Sequence, residues 1–384
     1  MTDRSLGLYL HLPFCRSRCA YCDFCSSVGR EGEIPRYVDA LLREMAARPA
    51  DGYTVDTVYL GGGTPSLLPG RELARLFDGI AVHYRLSEGA EITCEVNPGT
   101  ADFDKFSLLK ALGVNRVSLG VQSLSDRALR AIGRIHTAEE AIAAYRAARR
   151  AGLENLSLDL MTGLPGETPS ELAATVRGIL DLGPEHISAY ALTLEEGTPL
   201  ALSPLRATLP DEEGAADAME ATAEALVAGG YCRYEISNYA RPGRESRHNL
   251  RYWRGEEYLG LGVAAYSYFG GERFGAPRDL DGYLAGRPLP REDVERITPT
   301  ERERERVMLS LRLSEGIDRA AYLRDFGRDP ALLFGEVAAR YPAHLTVSDR
   351  AVALTPLGMS VSNPLIAECL ECLEQGAVTS KIQI

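Results

Sequence analysis

Up to about residue 195 the chain repeats one unit: a short β-rich run, a turn containing Gly or Asn, and an Ala/Leu/Arg-rich stretch with helical spacing. The β-rich runs lie at 6–12, 57–63, 91–97, 116–122, 155–161 and 186–192, with helical stretches between them at 37–48, 71–83, 103–112, 138–151 and 170–181. This order predicts βα units, a parallel sheet and right-handed crossovers. The side chains within each run alternate as well. Leu8 and Leu10, Val58 and Leu60, Val117, Leu119 and Val121, and Leu156, Leu158 and Leu160 share one face. Tyr9 and His11, Tyr59, Gly61 and Gly63, Thr93, Glu95 and Asn97, Ser118, Gly120 and Gln122, and Ser157 and Asp159 share the other. A parallel strand buried on both faces is almost wholly aliphatic. Here one face packs on helices and the other lines a polar space. The pattern therefore predicts an α/β fold, a partial barrel of six units whose lumen holds a ligand.

Beyond residue 195 the rhythm changes. Residues 208–228 read as an acidic helix, 229–275 show little regular periodicity, 298–313 read as a helix with a charged first half, and 344–354 are strand-like. The expected division is a barrel core at 1–240, a connecting region at 241–287, and a small C-terminal helical, winged-helix-like domain at 288–384.

Composition narrows the partners. Asp and Glu number 54 against 42 Lys and Arg, a net charge of −12, which disfavours general nucleic-acid or anionic-membrane binding. No apolar run reaches the roughly 18 residues of a membrane span, and the N-terminus lacks a signal-peptide cleavage site. A cytoplasmic protein is expected. Eight cysteines in that setting point to metal or catalysis rather than disulfides.

Cys15, Cys19 and Cys22 follow the first run with Cx3Cx2C spacing, and Cys25 comes three residues later. The C-terminal end of barrel strands is where active sites form. Three thiolates there can hold three irons of a [4Fe–4S] cluster and leave the fourth open. A zinc site and unliganded thiols are the alternatives. Gly61-Gly62-Gly63-Thr64 follows the second run and allows close backbone approach to a ligand. Glu95, Gln122 and Asp159 end later strands on the lumen side, and Arg134 is placed in the helix after Gln122.

HLPFCRSRCAYCDF resembles the cluster loop of the radical S-adenosylmethionine (SAM) superfamily, with Tyr21 as the aromatic residue before the last cysteine. That resemblance implies a partial (β/α)6 barrel, a [4Fe–4S] cluster on Cys15, Cys19 and Cys22, and SAM on the open iron. GVQSLSDRALRAIGRIH, SLDLMTGLPGET and SAYALTLEEGTPL further resemble relatives of oxygen-independent coproporphyrinogen dehydrogenase. The implied SAM contacts are Tyr9, Tyr21, Gly62, Gly63, Thr64, Glu95, Gln122, Arg134, Asp159 and Ala265.

Two features depart from the dehydrogenase. Phe24 stands where its loop carries a further cysteine, and only eight residues precede Tyr9, where it carries a long extension. HNLRYW at 248–253 instead resembles the HNxxYW motif of HemW-type heme chaperones. The implied heme contacts are His248, Tyr252 and Trp253, with Arg247, Arg251 and Arg254 near propionates. Tyr266 stands where many of these chaperones have a His. The expected function is heme binding and transfer to an acceptor protein, with an electron donor such as flavodoxin or ferredoxin, by a monomer or homodimer. The alternative is a catalytic radical SAM enzyme, a porphyrin-related oxidoreductase or a methyltransferase. A zinc-stabilised binding module is a third reading. Cys369 and Cys372 read as structural thiols.

Overall fold

A computed structural model describes residues 4–380. Six parallel strands form its centre: β1 (Arg4–Leu12), β2 (Tyr53–Gly62), β3 (Leu86–Val96), β4 (Arg116–Gln122), β5 (Leu156–Thr162) and β6 (His186–Ala191), paired in that order. Each matches one of the six expected runs, and β2 and β3 begin about four residues early. The helices between them lie at Ile34–Ala47, Gly70–His83, Phe103–Ala111, Ala138–Arg150 and Pro169–Leu182. Thr137 and Thr168 cap the last two through T-x-x-E boxes, each Thr accepting from the N3 backbone while the Glu reaches back.

The aliphatic face is the dry core. Leu8, Leu10, Val58, Leu60, Val117, Leu119, Leu156, Leu158 and Ile187 are buried in one cluster with the helices. The polar face curls around a cavity of about 570 Å³ lined by residues of β2 to β6. The alternation has one cause: helices cover a sheet on one side and a ligand space on the other.

The region from 229 to 275, which shows little regular periodicity in sequence, is nonetheless ordered. It adds short strands to both edges of the same sheet: β7 (Cys232–Arg233) and β8 (Asn238–Ala240) beyond β6, and β9 (Tyr258–Leu261), β10 (Tyr266–Phe269) and β11 (Glu272–Gly275) beyond β1, where a later strand, β12 (Glu292–Arg296), completes the edge. Each has two to five residues, too few for a period to register. β9 runs parallel to β1, with Tyr9 opposite Gly260. The large sheet therefore continues across residues 240 and 287. The acidic helix is Glu212–Ala228, capped by Asp211. Residues Pro204–Thr208 form a separate 3-10 turn, because Pro210 sits between the two.

The C-terminal part has its own core of Val307, Leu311, Tyr322, Phe334, Val337, Leu345, Val352 and Cys369. Its charged helix, Pro299–Ser310, starts at a Thr298–Glu301 capping box. The strand-like segment is a hairpin, Leu345–Val347 with Ala351–Leu354, joined by Ile317–Asp318. Cys369 lies inside this core, as a structural thiol would.

Candidate functional site

The cavity opens beside the loop that follows β1. Cys15, Cys19 and Cys22 line it, with Tyr21, Gly62, Gly63, Thr64, Glu95, Gln122, Arg134 and Asp159. Cys25 does not; its carbonyl meets His11 Nε2 at 2.8 Å.

Hydrogen bonds connect two of the thiols through the strand ends. Cys15 Sγ lies 3.5 Å from Thr64 Oγ1, which accepts from Asn97 Nδ2 at 2.7 Å. Asn97 Oδ1 accepts from an Arg134 guanidinium nitrogen at 2.7 Å, and the other terminal nitrogen of Arg134 lies 3.5 Å from Cys19 Sγ. The same guanidinium donates to the Gly120 carbonyl. Arg134 follows the helix Asp126–Ala131 rather than lying in it, because Gly133 at φ 75° turns the chain inward. Backbone bonds join the glycine turn to the cysteine loop: Gly63 N to the Leu12 carbonyl at 2.9 Å and Thr64 N to the Phe14 carbonyl at 2.8 Å. A Cβ on Gly63 would come within 2.7 Å of that Phe14 oxygen, so only glycine fits.

The two carboxylates sit deeper. Glu95 accepts from Tyr59 Oη at 2.9 Å and from Gly62 N at 3.2 Å. Burial pushes it up to about 7, with the neighbouring Asp159 adding to the effect. Asp159, in mid-strand rather than at a strand end, accepts from Ser118 Oγ at 2.9 Å and is pushed by burial up to about 6. Gln122 accepts from Tyr190 Oη at 3.0 Å and adopts φ 67°, a left-handed conformation uncommon outside glycine.

Five expected contacts do not line the cavity. Tyr9 stands behind the wall, its hydroxyl 3.1 Å from His11 Nδ1. Ala265 is buried in a backbone turn, its carbonyl accepting from Ala276 N. His248, Tyr252 and Trp253 lie on a short helix, Arg247–Trp253, of which Asn249 lines the cavity and these three do not. His248 is 1% exposed. Its Nδ1 meets Thr57 Oγ1 at 2.8 Å, its Nε2 meets Tyr252 Oη at 2.8 Å, and its ring stacks on Tyr59. Burial, with Arg251 and Arg116 nearby, pushes it down to about 3, so the ring is neutral. A neutral imidazole has one free lone pair, and a hydroxyl already occupies it. In this conformation His248 offers no bond to a heme iron; it braces Tyr59, which in turn holds Glu95. Trp253 packs with Tyr234, Ala240, Leu250 and Leu313. The three arginines are also engaged. Arg251 is buried against Asp56, Arg254 pairs with Glu315, and Arg247 donates to the Gly89 carbonyl.

The cavity also has walls that the motifs did not single out: Tyr59, Asn97, Arg116 and Tyr190. All lie on the polar side of their strands, so the alternation itself marks them.

The donor set fits a cluster with a small molecule beside it. Among the described residues no three His, Cys, Asp or Glu side chains converge on one ion. Thiols set apart on a rim suit a polynuclear cluster, where each takes a different iron. Arg134 Nε is buried, without a partner among the described residues, on a residue that lines the cavity.

Residues 9–179 match the radical SAM superfamily and residues 297–361 the HemN C-terminal domain. Coproporphyrinogen III oxidase (HemN) from Escherichia coli, a radical SAM enzyme, superposes with a TM-score of 0.82 at 25% identity, over 97% of this chain and 90% of that one. Fold and site together define a radical SAM protein. The heme chaperone HemW of Synechocystis sp. is 41% identical over 325 residues, 80% of this chain and 78% of that one. The Escherichia coli heme chaperone HemW is 39% identical over 327 residues, 83% and 85% of the two chains. The chain belongs to the HemW heme-chaperone family.

Proposed function

We propose that this protein is a heme chaperone that carries a [4Fe–4S] cluster and SAM and passes heme to an acceptor protein. The observation that carries the reading is sequence identity near 40% with HemW chaperones across about four-fifths of the chain, joined to a cavity where three cysteines face two carboxylates. Cys15, Cys19 and Cys22 would hold the cluster. When bound, the cluster offers an open iron to chelate SAM and an electron to reduce it. Thr64, Asn97 and Arg134 fix the Cys15 and Cys19 thiols. Glu95 and Asp159 suit an ammonium or ribose hydroxyls, and Gly62 and Gly63 let the backbone approach. His248 and Tyr252 act as a brace behind Tyr59 rather than as heme ligands, and Trp253 packs in a separate apolar cluster. A low-potential electron donor and a heme acceptor are the partners this reading requires. No helix among the described residues is long and apolar enough to cross a membrane.

The test is an anaerobic heme titration of the cluster-loaded protein, followed by a SAM-cleavage assay with dithionite. A stoichiometric Soret band with negligible turnover is expected. Absent heme uptake together with SAM-dependent product formation would favour the catalytic alternative and overturn the reading. Cys19→Ala should lose most of its iron; a full iron complement in that variant removes the cluster assignment.

A further inference from the structure

The cavity is polar at depth and apolar at its lip. Phe24, two residues past Cys22, lines it with 70% of its surface exposed. Phenylalanine is among the side chains a fold most often buries. Leu192 lines the cavity too, from the segment after β6. That segment rests on the cysteine loop, where Leu200 N donates to the Ala20 carbonyl at 2.8 Å, and it carries Leu194 and Leu202, 41% and 80% exposed. Exposed apolar side chains around the mouth of a polar space mark a binding surface.

Cations flank the ring. Arg278, from the loop after β11, lines the cavity and forms no hydrogen bond or ion pair among the described residues. Arg18 lines it as well, held by two bonds to the Cys22 carbonyl at 3.2 and 3.3 Å. Burial pushes up the thiol of Cys25, the residue after Phe24, and the charges that oppose this are those of Arg278 and Arg18. Asp23 and Glu195 share the rim but do not act on that thiol.

We propose that heme is held at this lip, one face of the macrocycle against Phe24 and a propionate at Arg278. The placement rests on the proposed function. A flat apolar plate with anionic arms matches an exposed ring flanked by cations. The other face of the heme stays open to an acceptor, which a closed pocket would prevent, and nothing is required of His248, Tyr252 and Trp253.

The full-length, cluster-loaded protein is titrated anaerobically with heme and with heme dimethyl ester, read at the Soret band, in wild type, Phe24→Ala, Phe24→Tyr and Arg278→Gln. Iron content and SAM affinity are measured alongside. Phe24→Ala should weaken heme binding roughly 5- to 30-fold, and Phe24→Tyr should restore it, with iron and SAM affinity at wild-type values in both. Arg278→Gln should weaken heme binding roughly 2- to 5-fold and leave the dimethyl ester unaffected. Heme affinity in Phe24→Ala within about 2-fold of wild type overturns the placement. A loss in Arg278→Gln that the ester shares overturns the propionate contact. If Phe24→Ala loses iron, Arg278→Gln decides, being outside the cysteine loop: undiminished discrimination between heme and its ester in that variant overturns the placement. If wild type takes up no heme, the proposed function fails and the lip site with it; if wild type takes up heme and neither variant differs from it, the lip site alone fails.

Discussion

His248→Ala distinguishes a brace from a heme ligand. The imidazole joins Thr57 and Tyr252 through its two nitrogens and stacks on Tyr59 at 5.2 Å between ring centroids. Removing it strands two hydroxyls in a buried setting, each costing about 1–3 kcal/mol. Loss of the stacked pair adds about 0.5–1.5 kcal/mol. The total, about 2.5–7.5 kcal/mol, is a large share of the usual stability of a domain. The shift in urea midpoint under anaerobic conditions reads this loss. A brace predicts a clear downward shift, with the fraction that stays folded showing an unchanged Soret position. A midpoint within about 1 kcal/mol of wild type, together with a displaced or missing Soret band, would refute the reasoning and restore His248 as the ligand.

Other perturbations separate the remaining parts of the site. Gly63→Ala forces a Cβ against the Phe14 and Leu12 carbonyls, so iron content and SAM affinity should fall together while the C-terminal part stays folded by limited proteolysis. Glu95, pushed up to about 7 from 4.5 by burial, binds its proton more tightly when folded than when unfolded. Its favourable contribution is full below pH 4.5 and is lost as pH rises through about 7, a swing of about 3 kcal/mol. Glu95→Gln should therefore flatten the decline of stability between pH 5 and 8, read as urea midpoints across that range; an unchanged slope removes Glu95 as its source. Thr298→Ala removes a capping box and should lower C-terminal stability by about 1 kcal/mol without altering iron content.

The barrel was legible because a single physical condition, helices outside and ligand inside, writes a period of two into six consecutive strands. Thr137, Thr168 and Thr298 each announce a helix start three residues before a Glu, and the structure has all three caps. The edge strands were hidden. Tyr258–Leu261 has four residues and gains its place from pairing with β1, a contact that no local pattern records. The HNxxYW segment pointed to the right family, but its letters do not say what each side chain touches. A histidine that binds iron and one that braces Thr57 and Tyr252 have the same letters, and only burial and partners separate them. Arg116 shares its face with Ser118, Gly120 and Gln122, and the same alternation that marked those three reaches it.

The parallel pairing of β1 with β9 also has a consequence for synthesis. Gly7 through Leu10 lie opposite Tyr258 through Leu261, so one edge of the first strand has no neighbour until some 250 further residues have left the ribosome. Meanwhile β1 and the cysteine loop present an aliphatic, hydrogen-bond-hungry border of the kind that recruits other chains. Nascent chains stalled before residue 258 should therefore depend on chaperones in a way that chains released beyond residue 261 do not.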